Sequence, residues 1–285
     1  MNEDEGTPYM SYGKTIEMFL VDGDFNGLVT AELSNWNGKA IKVPRTMVKG
    51  LDREDIRGVG VYFLLCEEDG ERSVYIGEAE NVLERLKQHI ASYQQNKEPY
   101  YWTQAIAFVG TDLNKALIRY LEDRLFAIAQ DCGRVALLTK VTYSHTKLKE
   151  SQIASMEEFI ENVKVLLGAL GCDVLAEVPK PDDDTVHLFC TTTQGASATG
   201  FVSEGGFTVL RGSRVSDVVA PSLKTSGSYD KLRARLESDG VICDHVFTRD
   251  YEFSSPSAAS IVVCGYSISG NVKWQTADGV PLKEL

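Results

Sequence analysis

The chain is poor in basic residues relative to its acidic content. It carries 29 Lys and Arg against 41 Asp and Glu, which gives a formal net charge of −12 at pH 7. Because phosphate binding depends on Lys and Arg, this balance argues against a protein that coats nucleic acid without specificity. Phosphate recognition by basic residues gathered on one face remains compatible with it, since local clusters decide docking.

Cysteine pairs and long hydrophobic runs are also missing. The six cysteines are scattered without any CxxC spacing, which disfavours disulfides and a zinc site and fits a reducing cytosol. The first ten residues have neither a basic nor an apolar region, so we expect no signal peptide. Charged residues interrupt the most apolar helical stretch, residues 163–178. We therefore expect a cytoplasmic protein without a membrane span.

The clearest local pattern runs over residues 58–89. Two runs rich in β-branched and aromatic residues, 59–66 and 74–77, flank a polar turn that contains glycine. Such runs predict the two strands of a hairpin. Apolar residues then recur at helical spacing, and Asn81 with Glu84 three positions later predicts a helix that begins near residue 82.

This stretch resembles the GIY-YIG nuclease family. Gly60-Val61-Tyr62 corresponds to the first signature triplet and Tyr75-Ile76-Gly77 to the second. Arg85 and His89 stand where the family's first helix carries an arginine and a histidine or tyrosine. Glu122 stands in a later helix, where the family has its metal-binding carboxylate. Both triplets and the three single residues occur in the family's order.

The resemblance implies a metal-dependent endonuclease that hydrolyses phosphodiester bonds of DNA. Tyr62 would activate the attacking water, with Tyr75 and His89 as its hydrogen-bond partners. Arg85 precedes His89 by four residues, so both project from one helix face, and its planar guanidinium suits the scissile phosphate. Glu122 would offer hard oxygen ligands to one Mg²⁺ or Mn²⁺ that keeps several waters.

Each of these residues also has an ordinary structural interpretation. The two tyrosines could be half-buried strand aromatics. His89 could be a surface residue of its helix, and Arg85 could simply pair with Glu84 or Glu78. Five such coincidences in family order are less plausible than the functional interpretation.

Two positions depart from the family pattern. Glu78 follows the second triplet, where better-known members often have a lysine, and this removes a cation from the phosphate path. The asparagine that the family usually carries after the glutamate is absent from RVALLTK, where Thr139 is the nearest polar residue. Thr139 can accept a hydrogen bond but cannot reproduce an amide. These departures favour an alternative function: a catalytically weakened scaffold that acts as a nucleic-acid-binding or regulatory protein.

Glu122 lies in the strongest helical pattern of the chain, residues 114–130. On its own helix face it is flanked by Ile118 and Phe126, four residues to either side. Burying a charge is costly unless a cation satisfies it, and a metal ion would do so. A third strand is predicted just before this helix, at residues 101–109.

The segments before residue 51 predict a small β-element. Three short strands are expected at residues 16–21, 28–33 and 40–43, with turns at Asp22-Gly23 and Asn37-Gly38. Trp36 could be a stacking platform for a base. Packing at a sheet edge is the more frequent role for such a residue.

A helical connector and a C-terminal domain are predicted beyond the module. The apolar face of residues 151–168 is typical of a connecting helix that packs on either domain, or of a homodimerisation helix. Residues 179–184 form a linker of proline and charged residues. Beyond it we expect strands, a short basic helix after Tyr229, a helix from Ser254-Ser255-Pro256-Ser257, and a closing strand NVKW.

This last part resembles a small domain of unknown function that commonly follows GIY-YIG modules, through GFTVLRGS, DYEFSSPSAASIVVCG and NVKWQTADGVPL. The resemblance implies architecture and no chemistry. Basic side chains in it are candidates for contacts with the nucleic-acid backbone, although a solvated helix face explains them equally well. They are Arg211, Arg214, Lys231, Arg233 and Arg235.

The sequence as a whole predicts an α+β protein. Hydrophobic residues make up 43% of the 285 residues, enough for two modest domains. We expect a β-element at 1–50, an α/β nuclease-like module with a small mixed sheet and flanking helices at 51–142, a helical connector at 143–181, and an α+β domain at 182–285.

Overall fold

A seven-stranded sheet organises the first part of the computed structural model, which describes residues 13–68, 71–139, 147–221 and 228–285. The strands are β1 (Ile16–Leu20), β2 (Val29–Leu33), β3 (Gly38–Pro44), β4 (Gly60–Glu68), β5 (Glu71–Ala79), β6 (Trp102–Gly110) and β7 (Ala136–Leu137). Their order is β1-β2-β3-β6-β4-β5-β7. All neighbours are antiparallel except β5 and β7, which run parallel. The sheet is therefore mixed.

Helices cover both faces of this sheet. They are α1 (Arg45–Val48), α2 (Val82–Gln94), α3 (Lys115–Cys132) and α4 (Glu150–Ala169). Successive strand residues point to opposite faces: Phe63 packs in the cluster formed with α3 and α4, whereas Tyr62 and Leu64 pack in the cluster formed with α1 and α2. The predicted α+β class is confirmed by this arrangement of helices on a sheet.

The three predicted N-terminal strands are present, and they extend the central sheet. β3 pairs with β6 from Gly38 opposite Gly110 to Pro44 opposite Gln104. The predicted turn at Asn37-Gly38 is wrong, because Gly38 begins β3 and the chain reverses earlier, where Asn35 has a φ of 63°.

Trp36 and α4 close one face of the sheet. The Trp36 ring packs edge-on against Phe159, with the ring centroids 4.8 Å apart. Trp36 therefore has the packing role that is the more frequent one for such a residue. Most of the apolar face at residues 151–168 is likewise buried within its own chain, while Ile153 stays 38% exposed. Homodimerisation through this helix remains a prediction. The boundary between residues 142 and 143 lies outside the described residues.

The C-terminal domain has its own sheet and core. Its strands are β8 (Leu188–Thr191), β9 (Ser197–Ser203), β10 (Gly206–Val209), β11 (Ile242–Cys243), β12 (Val246–Phe247) and β13 (Tyr251–Phe253), and its helices include α5 (Ser228–Ser238), α6 (Pro256–Cys264) and α7 (Gly270–Lys273). The main sheet has the order β13-β10-β9-β8. Phe207 and Trp274 meet in the core, with ring centroids 4.4 Å apart. Across the described parts of both domains, no helix is long and apolar enough to cross a membrane.

The two predicted helices of this domain are present, but the closing strand is not. Ser255 caps α6 by accepting a hydrogen bond from the Ala258 amide, and Gly265 ends it with a φ of 75°. The residues NVKW, predicted as a strand, lie in α7 and just after it. The helical turn forms there because Gly270 donates its amide to Ser257 Oγ and Trp274 Nε1 donates to the Pro256 carbonyl oxygen, both at 3.0 Å.

A buried ion pair joins the two domains. Arg134, which lies just before β7, pairs with Glu252 of β13, and their side chains are only 9% and 3% exposed. The same guanidinium donates hydrogen bonds to the carbonyl oxygens of Ala176 (2.8 Å) and Glu177 (2.9 Å). A second link runs from Arg249 to the carbonyl oxygen of Gln130 at 2.6 Å. The edge of the central sheet is thus attached to the C-terminal domain.

We expect Arg134→Ala to lower the free energy of unfolding by about 3–5 kcal/mol, because it leaves the Glu252 carboxylate buried without its cation. The matched control is Arg72→Ala, which removes an exposed pair with Asp173 (side chains 55% and 37% exposed) and should cost about 0–1 kcal/mol. Urea unfolding midpoints compare the two variants. Equal, small losses in both would contradict a stabilising role for the buried pair.

Candidate active site

The pairing of β4 with its two neighbours, β5 and β6, explains the glycines of both sequence triplets. Tyr62 lies directly opposite Gly77. A Cβ atom on residue 77 would stand 2.5 Å from the Tyr62 hydroxyl oxygen, so the Tyr62 ring occupies the space that a side chain would take. A Cβ atom on Gly60 would stand 2.1 Å from the carbonyl oxygen of Phe108 in β6. Only glycine allows both close approaches.

Gly77→Ala should therefore displace the Tyr62 ring and lower the free energy of unfolding by about 1–3 kcal/mol, as overpacking does. Gly168→Ala is the matched control, since no atom lies within 4 Å of its added Cβ, and it should be neutral or slightly stabilising. Thermal denaturation measures both changes. A Gly77→Ala variant as stable as the control would show that the ring does not need this space.

Tyr62 and His89 form the centre of a buried polar cluster. The Tyr62 hydroxyl and His89 Nε2 are 2.8 Å apart and joined by a hydrogen bond, and both side chains are fully buried. Asn81 starts α2 as predicted, because its side chain accepts a hydrogen bond from the Glu84 amide at 3.1 Å, and this helix brings His89 over Tyr62. The interpretation of His89 as a surface residue is excluded by its burial.

Arg85 and Tyr75 complete the part of the cluster that reaches solvent. Arg85 Nε donates a hydrogen bond to the Tyr62 hydroxyl at 3.3 Å, and Nη1 donates to Gln88 at 3.2 Å. The ring centroid of Tyr75 is 6.2 Å from that of Tyr62 and 5.1 Å from that of His89. Arg85 and Tyr75 are both partly exposed. The ordinary pairing of Arg85 with Glu84 or Glu78 is not what the structure contains.

Glu98 is a member of this cluster that the sequence did not reveal. Both of its carboxylate oxygens are 2.9 Å from His89 Nδ1, on the side of the ring away from Tyr62. It belongs to the loop between α2 and β6, where periodicity carries no information. The sequence feature that could have indicated Glu98 is its position nine residues after His89 and immediately before Pro99.

The environment keeps these groups neutral. Burial raises the pKa of Tyr62 well above its ordinary value, and the neighbouring Tyr75 adds to the shift. Burial also raises the pKa of Tyr75. Burial lowers the pKa of His89, although the hydrogen bond that its ring donates to Glu98 opposes this change. At neutral pH the cluster therefore contains a neutral phenol bonded to a neutral imidazole.

Glu122 of α3 is coupled to the cluster by its charge. It is 6% exposed, and its buried Oε2 atom has no hydrogen-bond partner among the described residues. Burial, then the negative charge of Glu78, raise its pKa to about 7. The Glu122 charge in turn raises the pKa of Tyr62 and of Tyr75. The structure thus connects all five residues of the sequence prediction, four by direct contacts and Glu122 through electrostatic interaction.

A pKa of about 7 gives Glu122 a testable effect on stability. The folded chain holds this proton more tightly than the unfolded chain, so stability is greatest below the ordinary pKa and falls as the pH rises towards 7. Glu122→Gln should therefore match the wild type at about pH 4 and exceed it by about 3 kcal/mol at about pH 8.

Denaturant unfolding at the two pH values measures this difference. Glu80→Gln, which alters an exposed carboxylate, is the control and should show no such pH dependence. A Glu122→Gln variant that is less stable than the wild type at high pH would contradict an unpaired carboxylate at this position.

The two departures from the family pattern have structural partners. Lys115, the first residue of α3, contacts both oxygens of Glu78 at 2.7 and 2.9 Å, so a cation is present beside residue 78 although it comes from another element. Thr139 is buried and bonded to β5: its hydroxyl donates to the Ile76 carbonyl oxygen and accepts from the Ile76 amide, each at 2.7 Å. Thr139 therefore extends the pairing of β7 with β5.

Glu122 offers one hard oxygen ligand of the kind that a divalent cation prefers. Mg²⁺ is commonly held by one or two carboxylates with waters and substrate phosphates, and the buried, unpartnered Oε2 of Glu122 is a suitable first ligand. Within the described ranges there is no group of three or more His, Cys, Asp or Glu side chains that could hold a metal ion. Water and phosphate oxygens would have to supply the remaining ligands.

The basic residues of the C-terminal domain divide into two groups. Arg211 and Lys231 are exposed, and Arg214 pairs with Asp217 at 2.7 Å on the surface. Arg233 is buried instead and donates to the Ser216 carbonyl oxygen at 2.7 Å, so it holds α5 in place. Arg235 is partly buried and bonds the Tyr251 hydroxyl at 3.2 Å. The exposed members are the better candidates for backbone contacts.

The fold and the site define an α+β protein with a buried phenol–imidazole–carboxylate cluster at a mixed sheet. A family model for a domain of unknown function, DUF4357, matches residues 188–285. The resemblance of the C-terminal domain to a domain of unknown function is thereby confirmed. No GIY-YIG family model matches the chain. No curated protein and no solved structure matches it either.

Proposed function

We propose that the protein is a metal-dependent endonuclease of the GIY-YIG type that hydrolyses phosphodiester bonds in DNA. The observation that supports this most is the contact set around the Tyr62 hydroxyl, which is bonded to His89 and Arg85. The charge of Glu122, whose buried Oε2 has no hydrogen-bond partner among the described residues, acts on the same hydroxyl. In-line hydrolysis of a phosphodiester needs a proton acceptor for the water, positive charge on the phosphate oxygens and a stabilised leaving oxygen. The phenol with its imidazole can supply the first, and the guanidinium and a cation held by the acid can supply the second.

Arg85 binds the scissile phosphate in this proposal. Its guanidinium is partly exposed, whereas the hydroxyl that it touches is fully buried, so a phosphate arriving from solvent meets Arg85 first. A phosphate oxygen is a stronger acceptor than a neutral phenol, and charge-assisted bonds favour the exchange. Binding of the phosphate thus draws the guanidinium away from Tyr62 and frees the hydroxyl for water.

Tyr62 and His89 move the proton. As the water oxygen forms its bond to phosphorus and the bond to the leaving oxygen breaks, one water proton passes to Tyr62. The hydroxyl proton of Tyr62 passes to His89 Nε2, 2.8 Å away. The leaving oxygen takes a proton from solvent, and the imidazolium of His89 later releases one proton to solvent, which restores the neutral ring and balances the protons. Glu122 would hold Mg²⁺ or Mn²⁺, which supplies positive charge to the phosphate oxygens.

Two observations favour a second candidate, a weakened scaffold that binds nucleic acid or a regulatory partner. Tyr62 has no exposed surface in this conformation. Glu78 adds negative charge next to Glu122 and raises its pKa, and the cation beside Glu78 is already paired with it. Both features weaken phosphate binding at the centre of the cluster without disturbing the fold.

A plasmid-nicking assay with Mg²⁺ or Mn²⁺ tests the proposed function. We expect the wild type to cut, and we expect Tyr62→Phe and Glu122→Ala to abolish cutting because they remove the proton carrier and the metal ligand. Arg85→Ala should lower the rate by about 10²–10³, as the loss of other single charge-stabilising groups does.

Lys87→Ala is the matched control for the Arg85 variant. It removes a positive charge from the same helix, but Lys87 pairs with Glu84 on the surface. It should leave cutting unchanged. If an oligonucleotide binds to the wild type but no metal supports cutting, the enzyme proposal fails and the scaffold is supported.

A further inference from the structure

Glu98 makes a two-oxygen contact with a histidine that has no exposed surface. Its Oε1 and Oε2 atoms are each 2.9 Å from His89 Nδ1, and its side chain is 18% exposed. The opposite nitrogen of the same ring bonds the Tyr62 hydroxyl at 2.8 Å. Three side chains from β4, α2 and the following loop therefore form one continuous hydrogen-bonded chain.

The loop is built to return Glu98 to the helix that precedes it. After α2 ends, Asn96 adopts a left-handed φ of 54°, and the Lys97 amide donates to the Ser92 carbonyl oxygen at 2.9 Å. Pro99 restricts the residue before it to extended conformations. Tyr100 then stacks on Tyr75, with ring centroids 5.7 Å apart. The position of the carboxylate is thus fixed on both sides.

We propose that Glu98 is the positioning residue of this site: it accepts the hydrogen of His89 Nδ1 and so fixes the tautomer whose bare Nε2 accepts the Tyr62 hydroxyl. A carboxylate accepts but cannot donate, so the hydrogen in this contact belongs to Nδ1. In a neutral imidazole the other nitrogen is then an acceptor. The Tyr62 oxygen accepts from Arg85 Nε, which leaves its own hydrogen free to point at Nε2.

The charges around the ring agree with this assignment. Arg45 of α1 and Arg85 of α2 both disfavour a protonated imidazole, and Glu98 is the group that favours it. Glu98 thus also stabilises the imidazolium that forms when Tyr62 gives up its proton. This catalytic consequence rests on the function proposed above, whereas the tautomer itself does not.

Nitrogen-15 NMR of the imidazole rings tests the assignment directly, because protonated and bare ring nitrogens have distinct shifts. The chain has four histidines, and His89→Gln identifies the signals of His89. We expect hydrogen on Nδ1 and a bare Nε2 in the wild type. In Glu98→Gln the amide can present its oxygen or its NH₂ group to Nδ1, so the form with hydrogen on Nε2 should grow.

Cleavage kinetics supply the second readout. Glu98→Gln should lower kcat by about 10- to 100-fold, as loss of other groups that orient a histidine does, with KM unchanged since Glu98 touches no substrate. Glu84→Gln, which alters an exposed carboxylate on the helix that carries His89, should change neither readout. Thermal denaturation checks that both variants are folded.

The outcomes separate this inference from the proposed function. Hydrogen on Nε2 of His89 in the wild type, or an unchanged tautomer ratio in Glu98→Gln, overturns the role of Glu98 even if the protein cuts DNA. A tautomer that responds to Glu98→Gln in a protein that cuts nothing supports the positioning role and rejects the nuclease.

Discussion

The hydrogen bond between the Tyr62 hydroxyl and His89 Nε2, 2.8 Å long and shielded from water, sets the requirements for the rest of the structure. Buried polar groups must be paired, because an unpaired one costs its full desolvation energy. The Tyr62 hydroxyl takes the space that a side chain on residue 77 would occupy, and α2, which begins after its Asn81 cap, carries the His89 ring. Glu98 then satisfies the remaining ring nitrogen.

The carboxylates around this hydrogen bond differ in their partners. Glu98 has His89, and Glu78 has Lys115, but Glu122 Oε2 has no hydrogen bond within the described structure. A buried carboxylate that the chain does not neutralise is destabilising on its own, and such groups concentrate at functional sites. The formal charge of −12 is a property of the whole chain, whereas the raised pKa of Glu122 reports the local cost of a negative charge at this buried position.

Local chemistry predicted the parts of the fold that depend on neighbouring residues. The hairpin, the Asn81 cap and the Ser255 cap all follow from short-range patterns, and each is present. Contacts between distant segments were not predictable in this way. The extension of the sheet through β3 and β6 joins residues 60 to 72 positions apart. NVKW became helical through bonds to the start of α6, and Glu98 reaches His89 across a loop in which Asn96 is left-handed.

The C-terminal domain and the site are attached to opposite ends of one short segment. Arg134 binds Glu252 of the C-terminal domain, and Thr139, five residues later, bonds both backbone groups of Ile76. Ile76 lies between Tyr75 and Gly77, the two residues of β5 that contact the Tyr62 ring. Because β7 is a short edge strand that pairs with β5 alone, the interdomain ion pair holds one end of the segment that fixes this part of β5. Through that segment, the domain matched by the family of unknown function is part of the support of the cluster.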